Sequence, residues 1–245
     1  MNHLAKLLAD NRRAPQRRFE VKALADDSAE VFLYDAIVSD SAEAEWFGGV
    51  APEPFVAALR GITAGTIHLR INSPGGSVFG ARAIEQALRD HPARVVAHID
   101  GLAASAATFI AMAADEVVMA KGALFMVHKA WTMAFGNSDD LLATADLLDK
   151  IDGTLVQTYA DRTKQTPALV EQWMAAETWF TAAEAIEAGF ADRLADDHTQ
   201  AQAAWNLSAY AKAPKPATAP TPEPEPQRVD AAALTRRLEA ALLTV

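Results

Sequence analysis

The stretch Ile67-His-Leu-Arg-Ile71-Asn-Ser-Pro-Gly-Gly-Ser-Val78 joins a short apolar run to a cluster of turn residues. The apolar run predicts a strand over 67–71, and Pro-Gly-Gly at 74–76 predicts a sharp turn after it. The next residues, 81–90, have the pattern of a helix that His91-Pro92 closes. The sequence therefore predicts one strand–turn–helix unit over 67–90.

The same alternation recurs along the chain. Further strands are predicted at 30–35, 94–99, 116–120 and 124–127, and further helices at 52–61 and 105–114. Strands that alternate with helices at this spacing are typical of an α/β protein with mostly parallel pairing.

A longer amphipathic pattern follows. Apolar residues recur every three or four positions over 138–163, with Ser138 as the predicted N-cap, and shorter helices are predicted at 167–176 and 181–188. The apolar stripe of the long helix must be buried against its own domain or against a neighbouring subunit.

Composition predicts four segments. Residues 1–27 are expected to be a flexible N-terminal segment, and 28–195 a compact domain. Six of the 12 prolines fall between 214 and 226, which predicts an extended linker over 196–227. Residues 228–245 have the pattern of a short amphipathic helix.

Charge and composition exclude several functions. The chain of 245 residues has a net charge of −10, which argues against a nucleic-acid partner held by phosphate contacts. It contains no cysteine, so disulfides and thiolate sites are excluded. Neither a signal-peptide core nor an apolar run long enough to span a bilayer is visible, so we expect a cytoplasmic protein without a membrane partner.

A lone hydroxyl lies within Gly101-Leu-Ala-Ala-Ser-Ala-Ala-Thr108, between a predicted strand and a predicted helix. A nucleophilic serine needs such a strand-to-helix turn with small neighbours, because the turn exposes Oγ and directs the next amide at an oxyanion. A serine N-cap of a buried helix fits Ser105 equally well.

Two other positions favour the nucleophile. The glycines at 75–76 allow a close backbone approach and could direct an N–H inward, although a plain turn also explains them. His128 ends an apolar strand, which is a common place for a general base.

Four blocks of the sequence resemble the Clp protease proteolytic subunit. They are Ile71-Asn-Ser-Pro-Gly-Gly-Ser77, Asp100-Gly-Leu-Ala-Ala-Ser-Ala-Ala107, Met126-Val-His128, and the stretch from Glu177 to Asp192. They occur in the family's order at similar separations within residues 28–195. The resemblance is strongest to the phage and prophage branch, whose members are head maturation (prohead) proteases.

The resemblance implies a fold and a set of site residues. The fold is the ClpP/crotonase-like spiral of repeated β-β-α units with a long protruding helix. Ser105 matches the nucleophile, His128 the general base, and the backbone N–H groups of Gly76 and Ala106 the oxyanion hole. Glu177 falls at the acidic third position, where housekeeping enzymes have aspartate, and its extra methylene requires a different backbone offset.

The resemblance also implies a mechanism and partners. Ser105 attacks a peptide carbonyl with His128 as base, and no metal or organic cofactor is needed. The chains would form closed homo-oligomeric rings through the long helix. Substrates would be capsid or scaffold proteins, met in the bacterial host cytoplasm or within a forming capsid, with an AAA+ ATPase as a further partner.

Several alternatives remain open from the sequence. A housekeeping Clp proteolytic subunit, a catalytically inactive ring or scaffold protein, and a crotonase-like acyl-CoA enzyme would each use this fold. Lys129 suggests a Ser/Lys pair, but neighbouring strand residues face opposite ways, so only one of His128 and Lys129 can face Ser105. Asp192 is a weaker acidic candidate and fits a solvated turn better.

Overall fold

The computed structural model describes residues 3–14, 17–196 and 205–214. The helices and strands of these residues are, in chain order, α1 (His3–Asn11), β1 (Arg18–Ala23), β2 (Ser28–Tyr34), α2 (Ser41–Phe47), α3 (Pro52–Arg60), β3 (Thr66–Ser73), α4 (Val78–Arg89), β4 (Arg94–Ala104), α5 (Ala106–Ala111), β5 (Glu116–Met119), β6 (Leu124–Val127), α6 (Ser138–Thr163), α7 (Pro167–Ala175), β7 (Thr178–Thr181), α8 (Ala182–Ala188) and β8 (Arg193–Leu194).

The strands form one mostly parallel sheet in the order β1-β2-β3-β4-β5-β8. The β1–β2 and β6–β7 pairs are antiparallel, and the other pairs are parallel. The long strand β4 changes partner along its length, because 96–99 pair with β5 whereas 102–104 pair with β6. This architecture confirms the predicted α/β fold with mostly parallel pairing.

The core lies between the sheet and the helices α3, α4 and α5. Helix α4 buries Ala81, Ile84 and Leu88, whose spacing of three and four residues puts them on one face. Helix α5 is buried at all six of its positions. The residue before α5 is therefore held against a packed interior.

Helix α6 has two different halves. None of residues 138–150 is buried, whereas Leu155, Tyr159 and Ala160 in the second half pack into the core. Asn137 caps the helix, one residue before the predicted cap, and forms a reciprocal capping box with Asp140. The first half therefore lies outside the packed core. No helix of the described residues is both long and apolar enough to cross a membrane.

The N-terminal segment differs from the expectation of flexibility over 1–27. It forms α1 and β1, and Leu7 and Leu8 of α1 are buried. Arg17 donates from Nε to both carboxylate oxygens of the buried Asp35 at 2.9 Å. Arg17, in the segment expected to be flexible, therefore supplies the partner that a buried carboxylate needs.

The predicted linker over 196–227 is also corrected in part. Trp205, Ala209 and Tyr210 are buried and pack against the domain, because this part of the segment is apolar and precedes the prolines. The compact unit accordingly extends to Ala213. The proline-rich run from 215 and the predicted helix over 228–245 lie outside the described residues.

The core packing predicts a large cost for removing Phe55, which is fully buried and stacks on Phe19. We expect Phe55→Ala to lower the free energy of unfolding by about 3–5 kcal/mol, measured by urea denaturation. Trp46→Ala is the control, because that aromatic side chain is 75% exposed. Equal losses in the two variants would contradict this core.

Candidate active site

Ser105 lies at a sharp turn between β4 and α5. Its backbone has φ 52° and ψ −124°, a region that residues with a Cβ rarely adopt. Its N–H donates to the carbonyl of Met126 at 2.9 Å, so the sheet ladder continues up to the turn itself. This is the geometry of a nucleophile elbow, in which the strained turn exposes the side chain.

Hydrogen bonds from the helices hold the strained turn. The carbonyl of Ser105 accepts from the N–H of Thr108 at 2.9 Å and also from the Thr108 hydroxyl. That hydroxyl in turn lies 2.6 Å from the hydroxyl of Tyr159 on α6. Thr108 and Tyr159 are both buried, so the network fixes the Ser105 backbone from inside the core.

The Ser105 side chain does not cap α5, because it makes no capping hydrogen bond. Its Oγ lies 2.7 Å from Nε2 of His128. The topology brings the two together, since Ala104 on β4 pairs with Met126 on β6, and Ser105 and His128 follow one and two residues later. The contact with His128 favours the nucleophile interpretation over the helix cap.

The Pro-Gly-Gly turn packs directly against the elbow. A Cβ on Gly75 would lie 2.4 Å from the carbonyl oxygen of Ala104 and 2.8 Å from Cβ of Ser105. A Cβ on Gly76, which has φ 147°, would lie 2.0 Å from the carbonyl oxygen of Ile37. Both positions therefore require glycine.

The backbone pairing leaves the Gly76 N–H on the side away from its partner strand. Ile37 donates to the carbonyl of Gly75 at 2.9 Å and accepts from Ser77 at 2.8 Å, so the ladder uses the residues on either side of Gly76. Ala106 is the first residue of α5, where an N–H has no partner within the helix. Gly76, Ser105 and His128 line one cavity of about 350 Å³.

Glu177 lies beside His128 in the sheet register. Strand β7 begins one residue later, and Val127 pairs with Thr178. The Glu177 carboxylate accepts from the backbone N–H of Lys212 at 2.6 Å, from that of Ala211 at 3.1 Å, and from Nε1 of Trp179 at 3.3 Å. None of these three hydrogen bonds is to His128.

Sequence reasoning missed Tyr210, which lines this cavity, and Trp205, which donates a hydrogen bond to Asn72 ahead of the glycine turn. The Tyr210 hydroxyl donates to the carbonyl of Pro74, and its ring meets the His128 ring edge-on with centroids 5.4 Å apart. Burial raises the pKa of the Tyr210 phenol. The available signal was two aromatic residues in a stretch assigned to a linker, where large apolar side chains are unusual.

The other sequence candidates lie in different settings. Nζ of Lys129 lies 3.8 Å from Oδ2 of Asp152, which gives the ammonium a carboxylate partner. Asp192 accepts from Arg162 and from the N–H of Val117 at 2.6 Å, which is a structural role. Over residues 3–14, 17–196 and 205–214, no cluster of His, Asp and Glu could hold a metal ion.

A serine on a strained elbow, hydrogen-bonded to an imidazole in a mostly parallel α/β domain, has the geometry of a serine hydrolase site. Residues 53–198 match the family model of Clp protease. The match spans more than half of the chain, and the protein belongs to the Clp protease family.

Individual proteins with similar sequences are also Clp protease proteolytic subunits. The chain is 33% identical over 130 residues to ATP-dependent Clp protease proteolytic subunit 3 of Streptomyces coelicolor, covering 52% of this chain and 60% of the relative. It is 30% identical over 130 residues to proteolytic subunit 1 of Mycobacterium tuberculosis, covering 52% of this chain and 65% of the relative. The chain thus spans less than two thirds of the length of these relatives.

The glycine geometry predicts opposite effects at two positions. We expect Gly76→Ala to lower the free energy of unfolding by more than about 1 kcal/mol, because the new Cβ meets backbone and the φ is unfavourable. Gly153→Ala should raise it by about 1 kcal/mol, because that helical glycine has nothing within 4 Å of a built Cβ. Urea denaturation of both variants measures these changes. A Gly76→Ala protein as stable as the native protein would contradict the turn geometry.

Proposed function

We propose that this protein is a serine endopeptidase of the ClpP type, with Ser105 as nucleophile and His128 as general base. The observation that carries the proposal is the 2.7 Å contact between Oγ of Ser105 and Nε2 of His128 at a strained elbow. Backbone strain at a hydroxyl residue is retained where it serves function, and a hydroxyl this close to an imidazole can lose its proton to it.

The proposed reaction is acyl transfer. Oγ of Ser105 forms a bond to the peptide carbonyl carbon while its proton passes to Nε2 of His128. The imidazolium then returns that proton to the leaving amine as the C–N bond breaks. Water repeats the sequence against the acyl-enzyme, which releases the acid product and restores both side chains.

Two backbone amides are proposed to stabilise the tetrahedral oxyanion. The N–H of Gly76 lies outside the ladder made by its neighbours, and the N–H of Ala106 opens a helix directly after the nucleophile. Fixed amide donors at the place where charge develops lower the barrier by several kcal/mol. The cavity shared by Gly76, Ser105 and His128 provides space for a peptide carbonyl.

Glu177 holds the position of the family's acidic residue, next to His128 across the β6–β7 pair. In the proposed mechanism its carboxylate supports the orientation of the imidazole. The same carboxylate accepts hydrogen bonds from the backbone N–H groups of residues 211 and 212.

We propose that the chain assembles with copies of itself through the first half of α6. Leu141 and Leu142 on this half are 47% and 64% exposed, and Phe135 just before it is 82% exposed. Adjacent exposed apolar side chains mark an interaction surface. A closed ring would bury them.

For the biological role we propose maturation of phage heads, with capsid or scaffold proteins as substrates. The proposal rests on the resemblance to the phage branch and on the sequence after the protease domain, since the predicted linker and the predicted terminal helix would suit tethering to an assembly. The relatives are named ATP-dependent proteolytic subunits, which supports the housekeeping alternative with an AAA+ ATPase. Cleavage of purified capsid or scaffold protein without ATP or ATPase would favour the maturation role.

The Ser105–His128 pair predicts covalent labelling by a fluorophosphonate. We expect one adduct on the native protein by intact mass, located on Ser105, and none on Ser105→Ala. His128→Ala should label at least about a thousandfold more slowly, because the serine then lacks its base. A native protein that never labels while correctly folded would favour the inactive assembly protein or the crotonase-like enzyme.

The exposed leucines predict a change in assembly. Leu142→Glu should shift the protein to smaller species in sedimentation velocity, because an interface cannot bury an unpaired carboxylate cheaply. Gly153→Glu is the control, since it places the same group at an exposed position in the second half of α6, outside the proposed interface. Unchanged assembly in Leu142→Glu would exclude this face as the interface.

A further inference from the structure

Residues 205–212 form a segment that contacts the turn carrying the proposed oxyanion donor. Nε1 of Trp205 donates to Oδ1 of Asn72 at 3.0 Å, and the Tyr210 hydroxyl donates to the carbonyl of Pro74. Asn72 and Pro74 lie four and two residues before Gly76 in the chain. The segment therefore braces the glycine turn at two points.

The segment also contacts the proposed base. The ring of Tyr210 lies between two aromatic neighbours, His128 at 5.4 Å and Trp179 at 5.9 Å, and meets both nearly perpendicularly, at 81° and 76°. Such edge-to-face contacts favour one ring orientation over others. The Tyr210 side chain thus restricts the plane of the imidazole that faces Ser105.

Glu177 anchors the segment at its far end. Oε1 accepts from the N–H of Lys212 and Oε2 from that of Ala211, while Nζ of Lys212 donates to the carbonyl of Ala176. Hydrogen bonds to a charged acceptor are stronger than those between neutral groups. Two consecutive amides on one carboxylate therefore fix the chain directly after Tyr210.

The N-terminal helix holds the other end of the segment. Nδ2 of Asn11 donates to the carbonyl of Asn206 at 2.9 Å, and the N–H of Asn206 donates to Oδ1 of Asn11 at 2.7 Å. Tyr210 is therefore carried on a segment that is attached on both sides of it.

We propose that Tyr210 is a positioning residue that holds the His128 imidazole toward Ser105, and that Glu177 supports catalysis by binding the backbone of the 205–212 segment. This inference rests on the proposed function. It assigns to the longer glutamate side chain the role of an anchor, in place of the direct contact with the imidazole that the aspartate of the family implies.

The two roles for Glu177 predict different magnitudes. Loss of a carboxylate that directly orients a catalytic histidine lowers the rate by about 10⁴-fold in serine proteases. Loss of an aromatic contact that biases the orientation of a ring costs about tenfold. If Glu177 acts through Tyr210, removing either side chain should lower the rate only about tenfold. Removing both should lower the rate little further.

The first test measures the maximal rate of fluorophosphonate labelling on the full chain. We expect Tyr210→Ala and Glu177→Ala each to slow labelling about tenfold with little change in the apparent affinity for the probe. Their combination should fall within about twofold of either variant. Tyr210→Phe keeps the ring but loses the hydroxyl, which bonds to the Pro74 carbonyl and to Ser105. It should therefore label faster than Tyr210→Ala but more slowly than the native protein. A loss near 10⁴-fold in Glu177→Ala, or multiplied effects in the double variant, would overturn the inference.

The second test does not depend on catalysis. Glu177→Ala should speed hydrogen exchange at the amides of Ala211 and Lys212 by about tenfold or more, because both lose their acceptor. Glu171→Ala, which removes an exposed carboxylate from α7, should leave them unchanged. Unchanged exchange in a folded Glu177→Ala protein would overturn the anchor role, even if the native protein labels at Ser105. If Glu177→Ala speeds exchange at these amides but the native protein never labels, the anchor role stands and only the proposed function is contradicted.

Discussion

The structure depends on one backbone constraint, the turn at Ser105 with φ 52° and ψ −124°. A residue with a Cβ holds such a conformation only where the surroundings compensate for the strain. Here the sheet ladder binds its N–H, and Thr108, backed by Tyr159, binds its carbonyl. The alanines around Ser105 and the glycine packed against it follow from the same constraint, since larger side chains would not fit beside the turn.

The change of partner along β4 converts this turn into a site. Its first half pairs with β5 and its second half with β6, so the chain that follows β6 returns next to the end of β4. This strand pairing, and not any feature of the neighbouring sequence, places His128 next to Ser105. Strand β7, which is antiparallel to β6, brings Glu177 to the same edge. The fold thus accounts for three separated sequence blocks meeting in one place.

Much of this arrangement could be predicted from the sequence. The strand–turn–helix repeat predicted the α/β fold, and small residues around a hydroxyl predicted the elbow at Ser105. The environment of Glu177 could not be predicted, because its partners lie in residues 211 and 212 and no local pattern links them. The proline-rich composition after 213 led to the prediction of a linker that included Trp205 and Tyr210. Their burial could not be predicted, because it depends on packing against distant parts of the chain. The packing of the N-terminal segment could not be predicted either, because the carboxylate that pairs with Arg17 lies elsewhere in the chain, at Asp35.

The central claim is that Ser105 attacks a peptide carbonyl whose oxygen is held by the amides of Gly76 and Ala106. The most direct measurement is a crystal structure of the native protein after reaction with a peptide boronic acid, which forms a tetrahedral adduct on an active serine. The account predicts a covalent bond from boron to Oγ of Ser105, with one boronate oxygen within hydrogen-bonding distance of both amides. A boronate bound elsewhere, or an adduct whose oxygens avoid both amides, would contradict it.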